Sequence, residues 1–301
     1  MVAPLVDLRL LQVIRPHIVA GGFLGYLVGM LFSLNLGGSV QWTWFALGYL
    51  IVLFEDLSTH YNNDYYDVEI DRHAPFKPFG SVNLFIEHPE LRGSAFLVAV
   101  GFSALSLLCA SAMVLMSASW HLLAVVVLFN VLGWLYSAPP IRLHSRRLGE
   151  ITIAVGTGFC VPAVGYIVAR GAIDDVFLLF SVPLVLYGFV LSLCLQVPDL
   201  ESDQALGKRT LVGLIGRRYS YLLVLLSSVA ASVSYIYLVP DVTGVNWMMP
   251  LISLVPVISC LVSVLLLNDS QAHARFFTSV NVSALFLLLI GLNIALLFGM
   301  N

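Results

Sequence analysis

Residues 40–71 read VQWTWFALGYLIVLFEDLSTHYNNDYYDVEID. The first part is an apolar run long enough to cross a bilayer as a helix, and it ends in acids spaced to share one helical face. A hydrocarbon core of roughly 30 Å needs about 20 apolar helical residues per crossing. The chain offers nine such runs, at approximately 16–34, 40–60, 93–116, 119–137, 149–169, 177–197, 220–239, 247–267 and 275–299. The expectation is an all-α, polytopic membrane protein of nine transmembrane helices, forming a single domain over residues 1–301. Composition agrees: 59% of the residues are hydrophobic and only 10% charged, against about 25% charged in a soluble domain, so a water-soluble fold is excluded.

The charges inform by position. A formal net charge of -3, with 14 Lys and Arg spread along the chain, forms no basic stripe of the kind nucleic acid requires. Loops facing the cytoplasm are enriched in Lys and Arg. With the N-terminus cytoplasmic, nine crossings put Arg9, Arg15, Arg72, Lys77, Arg92, Arg142, Arg146, Arg147, Lys208, Arg209, Arg217, Arg218 and Arg275 inside and only Arg170 outside. A wrong helix count would scramble that asymmetry. Arg9 and Arg15 precede the first apolar run without a small-residue cleavage site, so it reads as an uncleaved membrane helix. Cys109, Cys160, Cys194 and Cys260 all lie inside apolar runs and read as small packing residues. Two long cytoplasmic connections, near 60–92 and 199–219, follow the second and sixth helices. They point to a pseudo-repeat of helices 1–4 and 5–8 with a ninth helix added.

Both connections are acidic. Asn63, Asp67 and Asp71 repeat every four residues, so on a helix their oxygens project from one face; Asp56 and His60 carry that stripe back into the second span. Asp64 lies on the flank and Glu69 points elsewhere. Asp199 and Asp203 repeat the four-residue spacing after the sixth span. Carboxylates crowded beside a bilayer repel one another and lose hydration, so they call for positive counter-charge. Mg²⁺ suits them: it takes oxygen ligands, is held by one or two carboxylates, and fills its other positions with water and phosphate. A lone Asp in a connection is usually just a solvated charge. Two same-face acidic sets on one side of the membrane make the binding reading the stronger one. Glu55 and Asp56 are either intramembrane, and then functional by default, or near the polar boundary.

Cations suited to a diphosphate accompany these acids: Lys77 after the first motif, Lys208 and Arg209 after the second, and Arg15 and Arg142 on the same side. Ordinary positive-inside charge explains Arg146, Arg147, Arg217 and Arg218. Tyr136, in YSAPPIR at the end of the fourth span, could bond a phosphate or lie against a cation, although tyrosines at the interface are commonplace as membrane anchors. His17, His73, His88, His121, His144 and His273 show no metal-ligand spacing and read as interfacial.

These residues resemble the UbiA family of intramembrane prenyltransferases, along essentially the whole chain: Arg15-Pro16 opening the first span, NDYYDVEID at 63–71, YSAPPIRL at 136–143 and DLESDQALGKRTL at 199–211. The resemblance implies nine transmembrane helices around a central cavity that opens laterally to lipid. It also implies a cytoplasmic site where Asn63, Asp67, Asp71, Asp199 and Asp203 bind Mg²⁺ and a diphosphate. The chain departs from the family's pattern at Ala74, where many members carry Asn, at Lys77, where many carry Arg, and in the shortened Gly80-Ser81 stretch.

The expected function is Mg²⁺-dependent transfer of a prenyl group, from an isoprenyl diphosphate such as geranylgeranyl diphosphate, to an aromatic ring or lipid hydroxyl. Lys77 and Tyr136 would assist ionisation. Asp64 or Glu69 would assist deprotonation of the acceptor. The rival from another class is a transporter whose acids form a cation or anionic-lipid site. Its acids would sit near the bilayer midplane, whereas these pairs lie at helix ends. A phosphotransferase of alcohol-phosphate groups shares the Asp-rich Mg²⁺ logic but calls for a DGxxAR element that the sequence lacks.

Overall fold

The computed structural model describes residues 7–73, 83–116, 118–239 and 247–300. Among these residues the chain is helical, with one isolated parallel bridge between Arg146 and Arg209. After a 3-10 turn at Leu8–Val13 come α1 (Pro16–Asn35), α2 (Trp42–Tyr66), and two short helices, α3 (Val68–His73) and α4 (Leu84–Glu87). The first half continues with α5 (Arg92–Leu115) and α6 (Trp120–Ser137). The second half contains α7 (Gly149–Val155) and α8 (Val161–Arg170), joined by a π turn at Gly156–Cys160, then α9 (Asp175–Gln196) and the short α10 (Leu200–Ala205). It ends with α11 (Leu211–Tyr237), α12 (Met248–Leu265) and α13 (Gln271–Phe298).

Eight helical stretches among the described residues are long and apolar enough to cross a membrane. α2, at 25 residues, is a ninth long helix. It misses the apolar standard because its second half carries Glu55, Asp56, His60, Asn62, Asn63 and Asp64. The other expected spans match the helices to within a few residues, apart from two extensions. α2 runs on to Tyr66, and α11 begins at Leu211, well before the expected 220. Gly216, at φ 79 and ψ 167, breaks α11 near its start; only glycine takes that conformation without steric cost.

Local chemistry sets the helix ends. Ser119, Asp174, Thr210 and Ser270 each accept a backbone N–H of the first turn that follows, of α6, α9, α11 and α13. Pro16 opens α1, where its missing N–H costs nothing. Between helices in lipid there is little hydrophobic drive, so close approach of backbones and interhelical hydrogen bonds carry association. α1 and α8 cross at two glycines: a Cβ on Gly29 would overlap the Pro162 carbonyl, and one on Gly165 would overlap that of Tyr26. Asn35 Nδ2 donates to Leu296 O at 2.8 Å and Asn293 Nδ2 to Leu24 O at 3.1 Å, tying the first long helix to the last. Ser58 bonds Ala99 O at 2.9 Å, joining α2 to α5, and Thr278 bonds Cys194 O at 2.7 Å, joining α13 to α9. Cys160, Cys194 and Cys260 are buried, as packing residues should be, and Cys109 is half-buried.

Beneath the end of α2, a second cluster joins Leu10 and Val13 of the 3-10 turn to Tyr61, Val68, Phe85 and Leu91. Tyr61 donates its hydroxyl to Leu10 O at 2.8 Å. The turn is capped by Asp7, which accepts from Arg9 N–H and pairs with the Arg9 guanidinium at 2.6 Å. That hydrogen-bonded Arg9 holds the Asp7 carboxyl down at about 2.

Candidate active site

The predicted acids gather at one end of the bundle, but the first motif is not one continuous helix. α2 stops at Tyr66, Asp67 forms its C-cap at φ -98 and ψ 11, and α3 restarts at Val68. The register survives this break, because Asp67 N–H donates to Asn63 O at 2.9 Å and Asp71 N–H to Asp67 O at 2.8 Å. Asn63 therefore keeps its neighbourhood with Asp67: its Nδ2 donates to Asp67 Oδ2 and to Ser137 Oγ, both at 2.8 Å. With both amide hydrogens engaged, the Asn63 side-chain oxygen is the atom left to ligate. Asp71 is buried, and Asn83 Nδ2 bridges its Oδ2 at 2.9 Å to Asp64 O at 2.8 Å, so a residue outside the motif locks the short α3 onto α2.

Asp64 is fully buried and pairs with Arg15 at 2.5 Å. A predicted deprotonating acid and a predicted diphosphate cation are thus partners. Glu69 is exposed and faces Arg72 at 3.6 Å, away from this cluster. In the second motif a 3-10 turn at Val197–Asp199 leads into α10, with Asp199 half-buried at the junction. Asp203 is buried; its Oδ1 lies 3.3 Å from Lys208 Nζ, while its buried Oδ2 has no hydrogen-bond partner among the described residues.

The two motifs are tied through the connection from α6 to α7. Ser137 holds Asn63, and His144 Nε2 lies 3.4 Å from Asp67 Oδ1 with both side chains buried. From there the connection crosses to the second motif's tail: Arg147 N–H donates to Arg209 O at 2.8 Å and Arg209 N–H to Ser145 O at 3.3 Å. Buried Glu150 accepts the Leu211 N–H at 2.7 Å. Tyr136 is half-buried with its ring 5.3 Å from that of His144. Arg142 adopts a left-handed φ of 47, and its buried Nε has no hydrogen-bond partner among the described residues.

The Arg209 side chain is exposed, and its backbone joins the α6–α7 connection. Lys77, Ala74 and Gly80-Ser81 lie outside the described residues. Sequence reasoning missed Asn83, Ser137, His144 and Glu150. His144 was read as interfacial; its place two residues beyond Arg142, in the segment already marked for phosphate, was the available signal. Asn83 and Glu150 carried none, because their partners are distant in sequence.

Among the described residues, no three of His, Cys, Asp and Glu converge tightly enough to hold an ion by themselves. The donors at hand are nonetheless hard oxygens of the kind Mg²⁺ takes, and the buried Asp203 Oδ2 is an acceptor with no hydrogen-bond partner among the described residues. Two small carboxylate sets fit an ion that uses few carboxylates and completes its shell with phosphate.

Residues 23–290 match the sequence profile of the UbiA prenyltransferase family. Over 228 residues the chain is 22% identical to a 1,4-dihydroxy-2-naphthoate octaprenyltransferase of Bacillus subtilis (strain 168), covering 76% of this chain and 71% of that protein. A UbiA homolog from Archaeoglobus fulgidus, solved bound to DMAPP and Mg²⁺, matches with a TM-score of 0.66 at 17% identity, over 92% of this chain and 99% of that one. A structure of digeranylgeranylglyceryl phosphate synthase matches with a TM-score of 0.67 at 16% identity, over 96% and 98% of the two chains. With the profile running through most of its length, and its acid-rich motifs gathered at one end of a membrane bundle, the chain belongs to the UbiA prenyltransferase family.

Proposed function

We propose that this protein transfers a prenyl group from an isoprenyl diphosphate to a lipophilic or aromatic acceptor inside the membrane, with Mg²⁺ at the diphosphate. The observation that carries the reading is the α6–α7 connection, which grips Asn63 and Asp67 on one side and the strand of chain after Asp203 on the other. Relatives of the fold have been solved with DMAPP and with GPP, each with Mg²⁺, and geranylgeranyl diphosphate is the donor proposed here. We assign Asn63, Asp67, Asp71, Asp199 and Asp203 to the ion. Lys208, Arg15 and Arg142 bind diphosphate oxygens, with Lys77 and Arg209 assigned on sequence. Bound there, Mg²⁺ supplies positive charge to the leaving diphosphate.

The donor's allylic C–O bond breaks with its electron pair leaving on the diphosphate, and the allylic carbon forms a new bond to the acceptor, which gives up a proton. Arg15 and Lys208 are held by Asp64 and Asp203 before substrate arrives, so little reorganisation is needed to meet the developing charge. Tyr136 offers a ring face to the allylic cation. Helices packed against lipid exclude the water that would otherwise trap it. We further propose that α2 is the ninth crossing, that helices 1–4 and 5–8 are related as a repeat, and that the site faces the cytoplasm, as the distribution of Lys and Arg indicates.

Asp67→Ala and Asp199→Ala, purified and tested with labelled geranylgeranyl diphosphate and a panel of acceptors, should each lose at least about 100-fold in transfer, the scale of removing one charge stabiliser. Full activity in both variants refutes the assignment.

A further inference from the structure

Two carboxylic acids and a histidine of α2, Glu55, Asp56 and His60, lie outside both acidic motifs. Glu55 is fully buried and neither of its oxygens has a hydrogen-bond partner among the described residues. His60 is 3% exposed and neither ring nitrogen has one. Asp56 rests against α1 at Gly22, where a Cβ would collide with its Oδ2. Glu55 rests against α6 at Gly133, where a Cβ would lie 2.9 Å from its Oε1. Each carboxylate thus occupies room left by a glycine on a neighbouring helix.

Asp56 and His60 are four residues apart and share a helical stripe with Asn63 and Asp67. A rise of 1.5 Å per residue puts His60 about 4–5 Å, and Asp56 about 10 Å, deeper into the membrane than Asn63. With the diphosphate at Asn63 and Asp67, His60 and Asp56 lie on its membrane side, from which the donor's tail and a lipophilic acceptor approach. The donor's tail is apolar and has no use for hydrogen-bond acceptors. Glu55 and Asp56 are successive residues, about 100° apart around the helix, so they cannot chelate one ion together. Buried polar groups without partners are costly and are normally matched by a ligand or water.

We infer that Asp56 and His60 form the acceptor subsite and hold an uncharged acceptor through its hydroxyl hydrogens, while Asp56 turns away acceptors that bring a carboxylate or phosphate to that depth. The inference rests on the prenyltransferase reading above and adds to it the chemical class of the acceptor.

The test uses the full chain in lipid nanodiscs with Mg²⁺. Equilibrium dialysis measures binding of 1,4-dihydroxynaphthalene, of its 2-carboxylate and of labelled geranyl diphosphate and geranylgeranyl diphosphate. The wild-type chain should bind the diol more tightly than the carboxylate. Asp56→Asn, which keeps size and removes charge, should weaken the diol about tenfold, as expected for a lost charge-assisted hydrogen bond, and should strengthen the carboxylate; His60→Ala should also weaken the diol. Donor affinity should stay within about twofold in Asp56→Asn, which lies about 10 Å along the helix from Asn63. A wild-type chain that binds neither geranyl diphosphate nor geranylgeranyl diphosphate sinks the underlying reading and this inference with it. Donor binding with no saturable diol binding, or with diol and carboxylate affinities indifferent to Asp56→Asn, sinks this inference alone.

Discussion

At the scale of single residues, the site is built from pairs. Asp64 and Arg15 are mutually dependent: with Asp64 almost completely buried, removing it leaves a guanidinium uncompensated. Asp64→Ala should lower stability by about 3–5 kcal/mol, the cost of breaking a buried ion pair from one side, visible as an earlier thermal transition in detergent even without substrate. His144 touches Asp67 rather than any substrate in this arrangement, so it positions a ligand. His144→Ala should raise the Mg²⁺ concentration needed for half-maximal transfer by about 10–100-fold, the range for outer partners of metal ligands, while kcat at saturating Mg²⁺ falls much less. The acids were legible because their four-residue spacing is a local pattern. Their partners were not, since Asn83, Ser137 and His144 reach them across 12 to 77 positions of chain.

Among elements, the α1–α8 crossing is the tightest backbone approach that bears on the site, because α1 carries Arg15 at its start and Gly22 opposite Asp56. Gly165→Ala puts a methyl group onto the Tyr26 carbonyl, and the overpacking should cost about 1–3 kcal/mol, measured as a lower thermal midpoint. Widening this crossing would also move α1 relative to α2. The 3-10 turn under α2 has its own pH response. The Asp7 carboxyl falls from 3.8 to about 2 on pairing with Arg9, so the pair stabilises the turn above pH 3.8 and that contribution is lost as the pH falls through about 2. The protection of the Arg9 amide, whose N–H donates to Asp7, taken as its exchange rate relative to an unstructured chain at the same pH, should therefore fall over that window and hardly change between neutral pH and pH 5.

For the whole molecule, Arg146 lies in the α6–α7 connection and Arg170 at the C-terminal end of the 22-residue stretch Gly149–Arg170. In a chain with its four cysteines replaced, a single cysteine at position 146 and one at 170 should react with an impermeant maleimide from opposite sides of the membrane, and only the second from outside. Labelling of both from the same side would overturn the topology. Among the described residues, the eight helical stretches apolar enough to cross a membrane were readable from residue order because lipid demands apolar runs of a set length, and hydrogen bonding within each run makes it a local decision. Even α2 could be recognised, although its acids carry it below the apolarity of its neighbours. Four-residue spacing likewise marked which acids face one way. Tertiary structure decided what meets what: that the α6–α7 connection bridges the two motifs, that Asp64 is committed to Arg15, that α2 breaks at Asp67, and that glycines on α1 and α6 leave room for Asp56 and Glu55. Those outcomes depend on contacts between residues far apart in the chain, where packing rather than local period sets the geometry, and no pattern within one helix records its neighbour.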